Sequence, residues 1–344
     1  MQRYIRLLAL ITFWSVVSAY VYQCEPGTEP TVCQIWNLQY NEDMVAKHPD
    51  RTPSANISST VRTVQLRYER SYYMRYHLLS YGLTLHSTVL RNPSIVVIRE
   101  TRLQRVVLPT NLQVGDFCDN ILSVIETDPN KTYDVNYLDL SENMLTDAAN
   151  LTVCVHLRTL NLDNNRVRNL DPNMFTRMVN LTHLYLGDNH IHTFEFHTLP
   201  KALSVLWLTR NELRELNLVG VALPALRELD LASNVLTTLD IAALFSAFPA
   251  LEVVPIANNA FAKDEATRIL AELRRRNVSY YIGMKREEDV YCDDDEYRVE
   301  DVCFNELSLS GSSVWKGIVL IVLAVLVVSV FVVSVRWVWY QMSY

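Results

Sequence analysis

Apolar and polar positions follow a fixed phrase through the middle of the chain. Between residues 135 and 261 the phrase apolar-x-x-apolar-x-apolar-x-x-Asn occurs six times, at steps of 22 to 25 residues. A clear copy is Leu157-x-x-Leu160-x-Leu162-x-x-Asn165. Alternation within the phrase predicts a short strand that directs its leucines inward and leaves its x positions on an open face. The Asn is predicted to be buried at the following bend, where its amide can satisfy backbone groups.

This phrase resembles the leucine-rich repeat, in which each unit contributes one short strand and a return arm. Because one unit cannot bury its apolar side alone, stacked units share a core and form a curved solenoid. We therefore predict an α/β fold, a leucine-rich repeat solenoid or horseshoe, over residues 61–282. A weaker copy at residues 96–106 has Thr101 in place of Asn. The stretch at 108–134 is long for one repeat, which predicts a distorted or inserted arm.

The final repeat is predicted to have a helical arm. Within residues 264–276, Ala266, Ile269, Leu270 and Leu273 recur at helical spacing. Arginines follow near the C-terminal end of this segment, where cations are favoured by the helix dipole.

The first residues have the pattern of a secretory signal peptide, which we place at residues 1–19. Arg3 and Arg6 precede an apolar stretch at 7–17, and a small-residue cleavage site ends at Ala19. The mature chain is therefore expected to begin outside the cell.

Near the other end, residues 317–335 form a run of 19 uncharged and mostly apolar residues, which is long enough to span a bilayer as a helix. We predict a stalk at 305–316, a transmembrane helix at 317–335 and a cytoplasmic tail at 336–344. These segments would make a type I single-pass protein of the plasma membrane. A lipid anchor attached near Gly311 is the alternative.

Six cysteines in a secreted chain imply disulfide bonds. Two lie in a predicted N-terminal cap at 20–60 and two in a C-terminal cap at 283–304, where bridges would close the exposed ends of the solenoid. The remaining two are expected to pair, unless one is free or bonds another chain. The expected bridges are Cys24–Cys33, Cys292–Cys303 and Cys118–Cys154.

Composition and motifs exclude several classes of function. The net charge of −7 argues against nucleic acid as a partner. The sequence has no Gly-rich phosphate loop, no His-Glu-x-x-His and no serine elbow, so we expect no enzymatic activity, cofactor or metal. Four histidines cluster in the sequence, at 183, 190, 192 and 197. The repeat register assigns His183 to the open face and His190 and His192 to the arm after the Asn, so we do not expect the four to converge on a metal. Glycosylation sequons occur at Asn56, Asn130, Asn150, Asn180 and Asn277.

The open strand face is the candidate binding site. The repeat register predicts one contiguous aromatic patch, formed by Tyr137, His183, Tyr185 and Trp207, with acidic side chains around it. Exposed Trp and Tyr are enriched in protein-binding hot spots. The candidate residues are Tyr137, Asp139, His183, Tyr185, Trp207, Glu228 and Asp230, with Glu142, Asp163 and Asp188 at the rim.

The signal peptide, the cysteine-capped irregular repeats and the single span together resemble the leucine-rich immune proteins of mosquitoes, in particular their transmembrane branch. The resemblance implies innate immune recognition, with the ectodomain engaging microbial surfaces or complement-like proteins. Secreted members carry a coiled coil and form disulfide-linked pairs, and this chain has no heptad tail for such pairing. The nine-residue tail implies a co-receptor for any signalling. Cell adhesion or a developmental co-receptor role is the alternative.

Overall fold

The structure is a computed structural model that describes residues 20–27, 29–68, 78–280 and 292–306. The predicted signal peptide, the stalk beyond residue 306, the predicted transmembrane helix and the tail lie outside the described residues. Within the described segments, no helix is both long enough and apolar enough to cross a bilayer.

Among the described residues, short strands dominate and the helices are few and short. The strands, in chain order, are β1 (Val21–Gln23), β2 (Glu25–Pro26), β3 (Val32–Trp36), β4 (Ser54–Asn56), β5 (Thr63–Arg67), β6 (Ser80–Tyr81), β7 (Ile95–Ile98), β8 (Arg105–Val107), β9 (Val114–Asp116), β10 (Val124–Glu126), β11 (Tyr137–Asp139), β12 (Thr159–Asn161), β13 (His183–Tyr185), β14 (Val205–Trp207), β15 (Glu228–Asp230), β16 (Glu296–Val299) and β17 (Val302–Asn305). The α-helices are α1 (Glu42–Lys47), α2 (Ile241–Ala247) and α3 (Lys263–Arg275). Single turns of 3-10 helix lie at Pro49–Arg51, Ala149–Val153 and Phe196–Thr198, and a π-helix lies at Leu85–Val89.

One sheet runs along the repeats and carries the open face. It has ten strands in the order β2-β3-β5-β7-β9-β11-β12-β13-β14-β15, and every pair except β2–β3 is parallel. Its central residues, such as Leu138, Leu160 and Leu184, are opposite one another and fully buried. The fold is therefore a leucine-rich repeat solenoid with a parallel strand sheet, as predicted. The parallel series starts at β3, inside the segment assigned to the N-terminal cap.

Residues 108–134 contain a complete repeat, so the prediction of a distorted or inserted arm was wrong there. The repeat reads Leu112-x-x-Gly115-x-Phe117-x-x-Asn120, and β9 pairs with β7 and β11 in register. A Cβ atom on Gly115 would lie 2.8 Å from the ring of Phe117. The Phe117 ring therefore occupies part of the space that an apolar side chain, such as Val96 or Leu138, fills at the equivalent position of neighbouring repeats.

The repeat asparagines form a buried ladder, which confirms their predicted role. The Asn165 Nδ2 group donates to the carbonyl oxygens of Leu140 at 2.9 Å and Leu162 at 3.1 Å, and its Oδ1 accepts from the backbone N–H of Leu145 at 2.9 Å. These bonds tie each repeat to the one before it and satisfy backbone groups at the bend. The ladder asparagines are Asn143, Asn165, Asn189, Asn211, Asn234 and Asn259, all buried.

The return arms cover the other side of the core. Helix α3 buries Ala266, Ile269, Leu270 and Leu273, which confirms the predicted helical arm. A smaller parallel sheet joins the earlier arms in the order β10-β8-β6. The core is thus covered by a helix at the last repeat and by short strands at earlier repeats.

Disulfides lie near both ends of the described chain, where two of the three bridges were predicted. Cys24 bonds Cys33 and Cys292 bonds Cys303, with Cα–Cα distances of 5.3 and 5.5 Å. The predicted pairing of Cys118 with Cys154 was wrong, since both are free thiols. Cys118 follows β9 on the open face beside Asp116, whereas Cys154 is buried at the end of a 3-10 turn in a return arm.

Candidate functional site

Aromatic side chains from two adjacent strands meet on the open face. Register places Tyr185 of β13 beside Trp207 of β14, and their rings pack edge to face with centroids 4.8 Å apart. His183 lies 6.3 Å from Tyr185, centroid to centroid. The indole Nε1 of Trp207 donates to Oε1 of Glu228 on β15 at 2.6 Å. We call His183, Tyr185 and Trp207 the aromatic patch, and all three are half-buried.

Tyr137 lies on the same face but outside the aromatic patch, so the prediction of one contiguous patch that includes it was wrong. Strand β12, which presents Thr159 and Asn161, separates it from β13. The Tyr137 hydroxyl donates to Oδ2 of Asp139 at 3.4 Å, and burial raises the pKa of Tyr137 to about 12. Tyr137 is therefore a neutral hydrogen-bonding group at one side of the face.

Two of the candidate carboxylates, which were predicted to lie exposed on the open face, are buried. Asp139 is 8% exposed and Asp230 is 4% exposed. Oδ1 of Asp139 accepts from the backbone N–H and the hydroxyl of Ser141 at 3.0 and 2.6 Å, and Oδ1 of Asp230 accepts from the N–H of Ala232 at 2.9 Å. These short side chains fold back onto the backbone beneath larger neighbours. They contribute charge to the face and little contact surface.

The carboxylates give the face an acidic character. Burial, together with nearby Asp188 and Asp139, raises the pKa of Asp163 to about 7. Burial, together with Glu228, raises the pKa of Asp230 to about 6. In the part of the chain that the structure describes, no Lys or Arg is ion-paired with Asp163, Glu228 or Asp230. The aromatic patch therefore lies among carboxylates that lack a cationic partner.

A second group of polar residues on this face is an ion pair beside a thiol. Potential ligand atoms of Asp116, Cys118 and Asp139 lie within 4.8 Å of one another. The guanidinium of Arg99 binds both carboxylate oxygens of Asp116, with Nε at 3.0 and 2.9 Å. Burial raises the pKa of the Cys118 thiol to about 12, so the thiol is protonated at neutral pH. Arg99 already supplies the positive charge that Asp116 needs.

His190 and His192 lie on the same surface and share a partner that the sequence pattern did not reveal, whereas His183 and His197 lie elsewhere. The Nδ1 atoms of His190 and His192 lie 3.2 and 3.3 Å from Oε1 and Oε2 of Glu212. His197 contacts Glu195 at 3.1 Å, and His183 belongs to the aromatic patch. The sequence contains a signal for this contact, because His190 and Glu212 each directly follow a ladder asparagine. They therefore occupy equivalent positions in adjacent repeats.

The five sequon asparagines are all exposed and lie outside the strands of the main sheet. The Asn150 amide donates to the carbonyl oxygen of Ile125 at 2.8 Å. Glycans at these positions would leave the open face uncovered. The sequon asparagines are Asn56, Asn130, Asn150, Asn180 and Asn277.

Comparison with known proteins identifies the repeat. The sequence profile of the Leucine rich repeat family matches residues 155–213. Bovine osteomodulin is 31% identical over 131 residues, a segment that is 37% of this chain and 30% of osteomodulin. Chicken (Gallus gallus) mimecan is 32% identical over 111 residues, which are 31% of this chain and 37% of mimecan. The chain thus spans about a third of the length of these relatives.

Two solved structures are among those that resemble this chain. In the complex of Toll with Spatzle from Drosophila, the similar chain has 19% identity and a TM-score of 0.47, covering 66% of this chain and 34% of that one. The leucine-rich repeat domain of APL1B has 18% identity and a TM-score of 0.49, covering 72% of this chain and 73% of that one.

Proposed function

Since the chain is a leucine-rich repeat protein, we propose that it is a cell-surface recognition protein of innate immunity that binds a protein or microbial ligand through the open face of its sheet. The observation that carries this proposal is the Tyr185–Trp207 pair, whose rings remain half-exposed in the middle of that face.

The aromatic patch has the properties of a binding hot spot. Trp and Tyr are enriched among the residues that contribute most to protein–protein binding. The Trp207 side chain is held in place by its hydrogen bond to Glu228 and by the Tyr185 ring. A side chain that is already ordered loses less conformational entropy when a ligand binds, so more of the contact energy appears as affinity.

The charge around the patch favours a cationic ligand segment. A Lys or Arg side chain laid over Trp207 or Tyr185 gains a cation–π contact, and Glu228 and Asp163 lie close enough to influence Tyr185 electrostatically. Complementary charge speeds association and selects among partners. The ligand is therefore expected to present at least one basic side chain to the patch.

Features of the sequence support the cellular setting that we propose. A signal peptide and the apolar segment at 317–335 favour a type I protein of the plasma membrane, glycosylated on its return arms. Resemblance to the transmembrane leucine-rich immune proteins of mosquitoes favours immune recognition, with a complement-like protein or a microbial surface as ligand. A co-receptor would supply signalling.

The test uses cells that display the full-length chain. Cells are incubated with body fluid and with labelled microbes, and bound material is measured by flow cytometry and identified by cross-linking mass spectrometry. The Trp207→Ala/Tyr185→Ala variant should lose binding by roughly tenfold or more, as expected for two hot-spot side chains, while reaching the surface at the wild-type level.

Two further variants make the result specific. Trp36→Ala removes an indole that is 40% exposed at the end of β3, far along the same sheet, and should leave binding unchanged. Leu208→Ala removes a fully buried side chain and should reduce surface display, since such a change costs about 2–5 kcal/mol. Capture of a membrane protein from neighbouring host cells, in place of a complement-like or microbial ligand, would favour adhesion over immune recognition.

A further inference from the structure

A second charged surface lies on the flank of the solenoid, where the chain leaves each strand. In three consecutive repeats the residues one and three places after the ladder asparagine point outward and are exposed. We call these six residues the flank panel. They are Arg166, Arg168, His190, His192, Glu212 and Arg214.

Backbone hydrogen bonds hold the flank panel together. The N–H of His190 donates to the carbonyl oxygen of Val167 at 2.9 Å, and the N–H of Glu212 donates to that of Ile191 at 3.0 Å. The residues between the panel positions, Val167, Ile191 and Leu213, are fully buried. Alternation thus fixes the panel side chains outward, and three repeats at about 4.8 Å spacing make it about 10 Å across.

The flank panel is basic although the whole chain is acidic. Its three arginines outnumber its one glutamate, which gives a charge of +2 with neutral histidines, against −7 for the chain. Among the described residues, no carboxylate forms an ion pair with Arg166, Arg168 or Arg214. Glu212 is already occupied by the two histidines. Three guanidinium groups therefore remain available to an anionic ligand.

An open depression beside the arginines offers room for such a ligand. It has a volume of about 700 Å³ and is lined in part by Arg166, Arg168 and His190. Two carboxylates also line it, and each is engaged with backbone. Asp147 accepts from the N–H of Ala149 at 2.7 Å and Asp171 from that of Asn173 at 2.8 Å. The wall of the depression thus has two arginines that form no ion pair in the described part of the chain and two carboxylates that already accept backbone hydrogen bonds.

We propose that the flank panel binds a sulfated polysaccharide. The planar guanidinium group can donate two parallel hydrogen bonds to the oxygens of one sulfate group, which favours Arg for this chemistry. A linear polymer with many sulfates can contact all three arginines along the panel. The panel has no Trp, Tyr or Phe on which nucleobases could stack. Since it lies apart from the open face, both ligands can be bound at once.

The test measures binding of heparin to the full-length chain in detergent, by biolayer interferometry at several salt concentrations. The Arg166→Gln/Arg168→Gln/Arg214→Gln variant should bind about tenfold or more weakly, and the slope of log Kd against log salt should fall by roughly one for each ion pair lost. The Glu212→Gln variant should bind more tightly than wild type, because it removes the only carboxylate of the panel.

A matched control carries the same change of charge elsewhere. Arg51, Arg62 and Arg177 are exposed and lie outside the panel, so their replacement by Gln should leave Kd within about twofold of wild type. Equal loss in both triple variants would overturn the proposal, since net charge alone would then explain binding. Equal affinity for desulfated heparin, or tighter binding to phosphatidylserine vesicles or single-stranded DNA, would overturn the assignment to a sulfated polysaccharide. Thermal unfolding of each variant at the wild-type temperature establishes that all are folded.

Discussion

At the scale of single residues, Asp163 shows how the fold changes the chemistry of a side chain. Its Oδ1 accepts from the backbone N–H of Gly187 at 2.6 Å, and burial raises its pKa from an ordinary value of 3.8 to about 7. Between these two pH values the folded chain binds a proton that the unfolded chain has lost. The resulting stability is fully present below pH 3.8 and is lost as the pH rises through about 7.

Asp163→Asn should therefore raise the free energy of unfolding at pH 7.5, by on the order of 1–3 kcal/mol, and change it little near pH 4. The Asn side chain keeps an acceptor for Gly187, so the hydrogen bond survives. Urea-induced unfolding at the two pH values measures the difference. A matched Glu215→Gln variant, at an exposed position, should show no such pH-dependent gain. An equal effect of Asp163→Asn at both pH values would show that the pKa of Asp163 is the same in the folded and the unfolded chain.

The sequence predicted which residues occupy the open face, but it could not predict the exposed fraction of each side chain. Alternation placed Asp139, Trp207 and Asp230 in one column. The exposed fraction depends on the size of the neighbours and on local hydrogen bonds, so Trp207 is half-exposed while Asp139 and Asp230 are buried. The bond between Trp207 and Glu228 likewise depends on rotamers that no periodicity specifies.

At the scale of elements, the repeat that contains β9 shows how packing can hide a pattern. Gly115 and Phe117 replace the two leucines that follow Leu112 in the phrase. The pattern of apolar residues does not reveal this repeat because Gly115 has no apolar side chain at the central position of the strand. The ring of Phe117 is larger than a leucine side chain and fills part of the space that Gly115 leaves, so the core at this repeat stays packed.

Gly115→Leu alone should lower the free energy of unfolding by about 1–3 kcal/mol, because the new side chain would be forced against the Phe117 ring. The double variant Gly115→Leu/Phe117→Leu restores the phrase and should be more stable than the sum of the two single changes predicts. Urea-induced unfolding of the three variants measures this coupling. Additive losses would show that the two side chains do not share one space.

Other elements could be predicted from the sequence only where apolar residues recur at a regular spacing within the element. Helix α3 was predicted because its buried residues recur at helical spacing. The small sheet of β6, β8 and β10 was not, because its strands are two or three residues long and lie in arms of unequal length. The sequence also could not predict that Cys118 and Cys154 are free thiols, since pairing depends on where each side chain lies in the folded repeat.

At the scale of the whole molecule, each repeat contacts its neighbours and the end repeats have a neighbour on one side only. Unfolding of such a chain is expected to begin at its ends. The Cys292–Cys303 bridge links residues that are 11 apart in sequence, beyond the final repeat. The backbone there joins the repeats through the hydrogen bond from the N–H of Asn258 to the carbonyl oxygen of Cys303 at 2.9 Å.

Replacement of Cys292 and Cys303 by Ala should therefore destabilise the C-terminal end by about 2–3 kcal/mol, as expected for a loop of this size. Hydrogen exchange monitored by mass spectrometry should show faster exchange in β15 and α3 and unchanged exchange in β11 and β12. The conservative replacement by Ser at both positions serves as a second variant with the same expectation. Equally faster exchange in all repeats would show that the chain unfolds as one cooperative unit.

The ladder asparagines have a consequence for how such a protein can change in length. Asn189 bonds the carbonyl oxygen of Leu162 and the N–H of Val167, both in the preceding repeat, and the other ladder asparagines repeat this arrangement. Each unit thus contains its own joint to its predecessor. A tandem duplication within the gene copies the joint together with the unit, and a deletion removes both. Repeat number can therefore drift during evolution without compensating substitutions, while the two capped ends stay fixed.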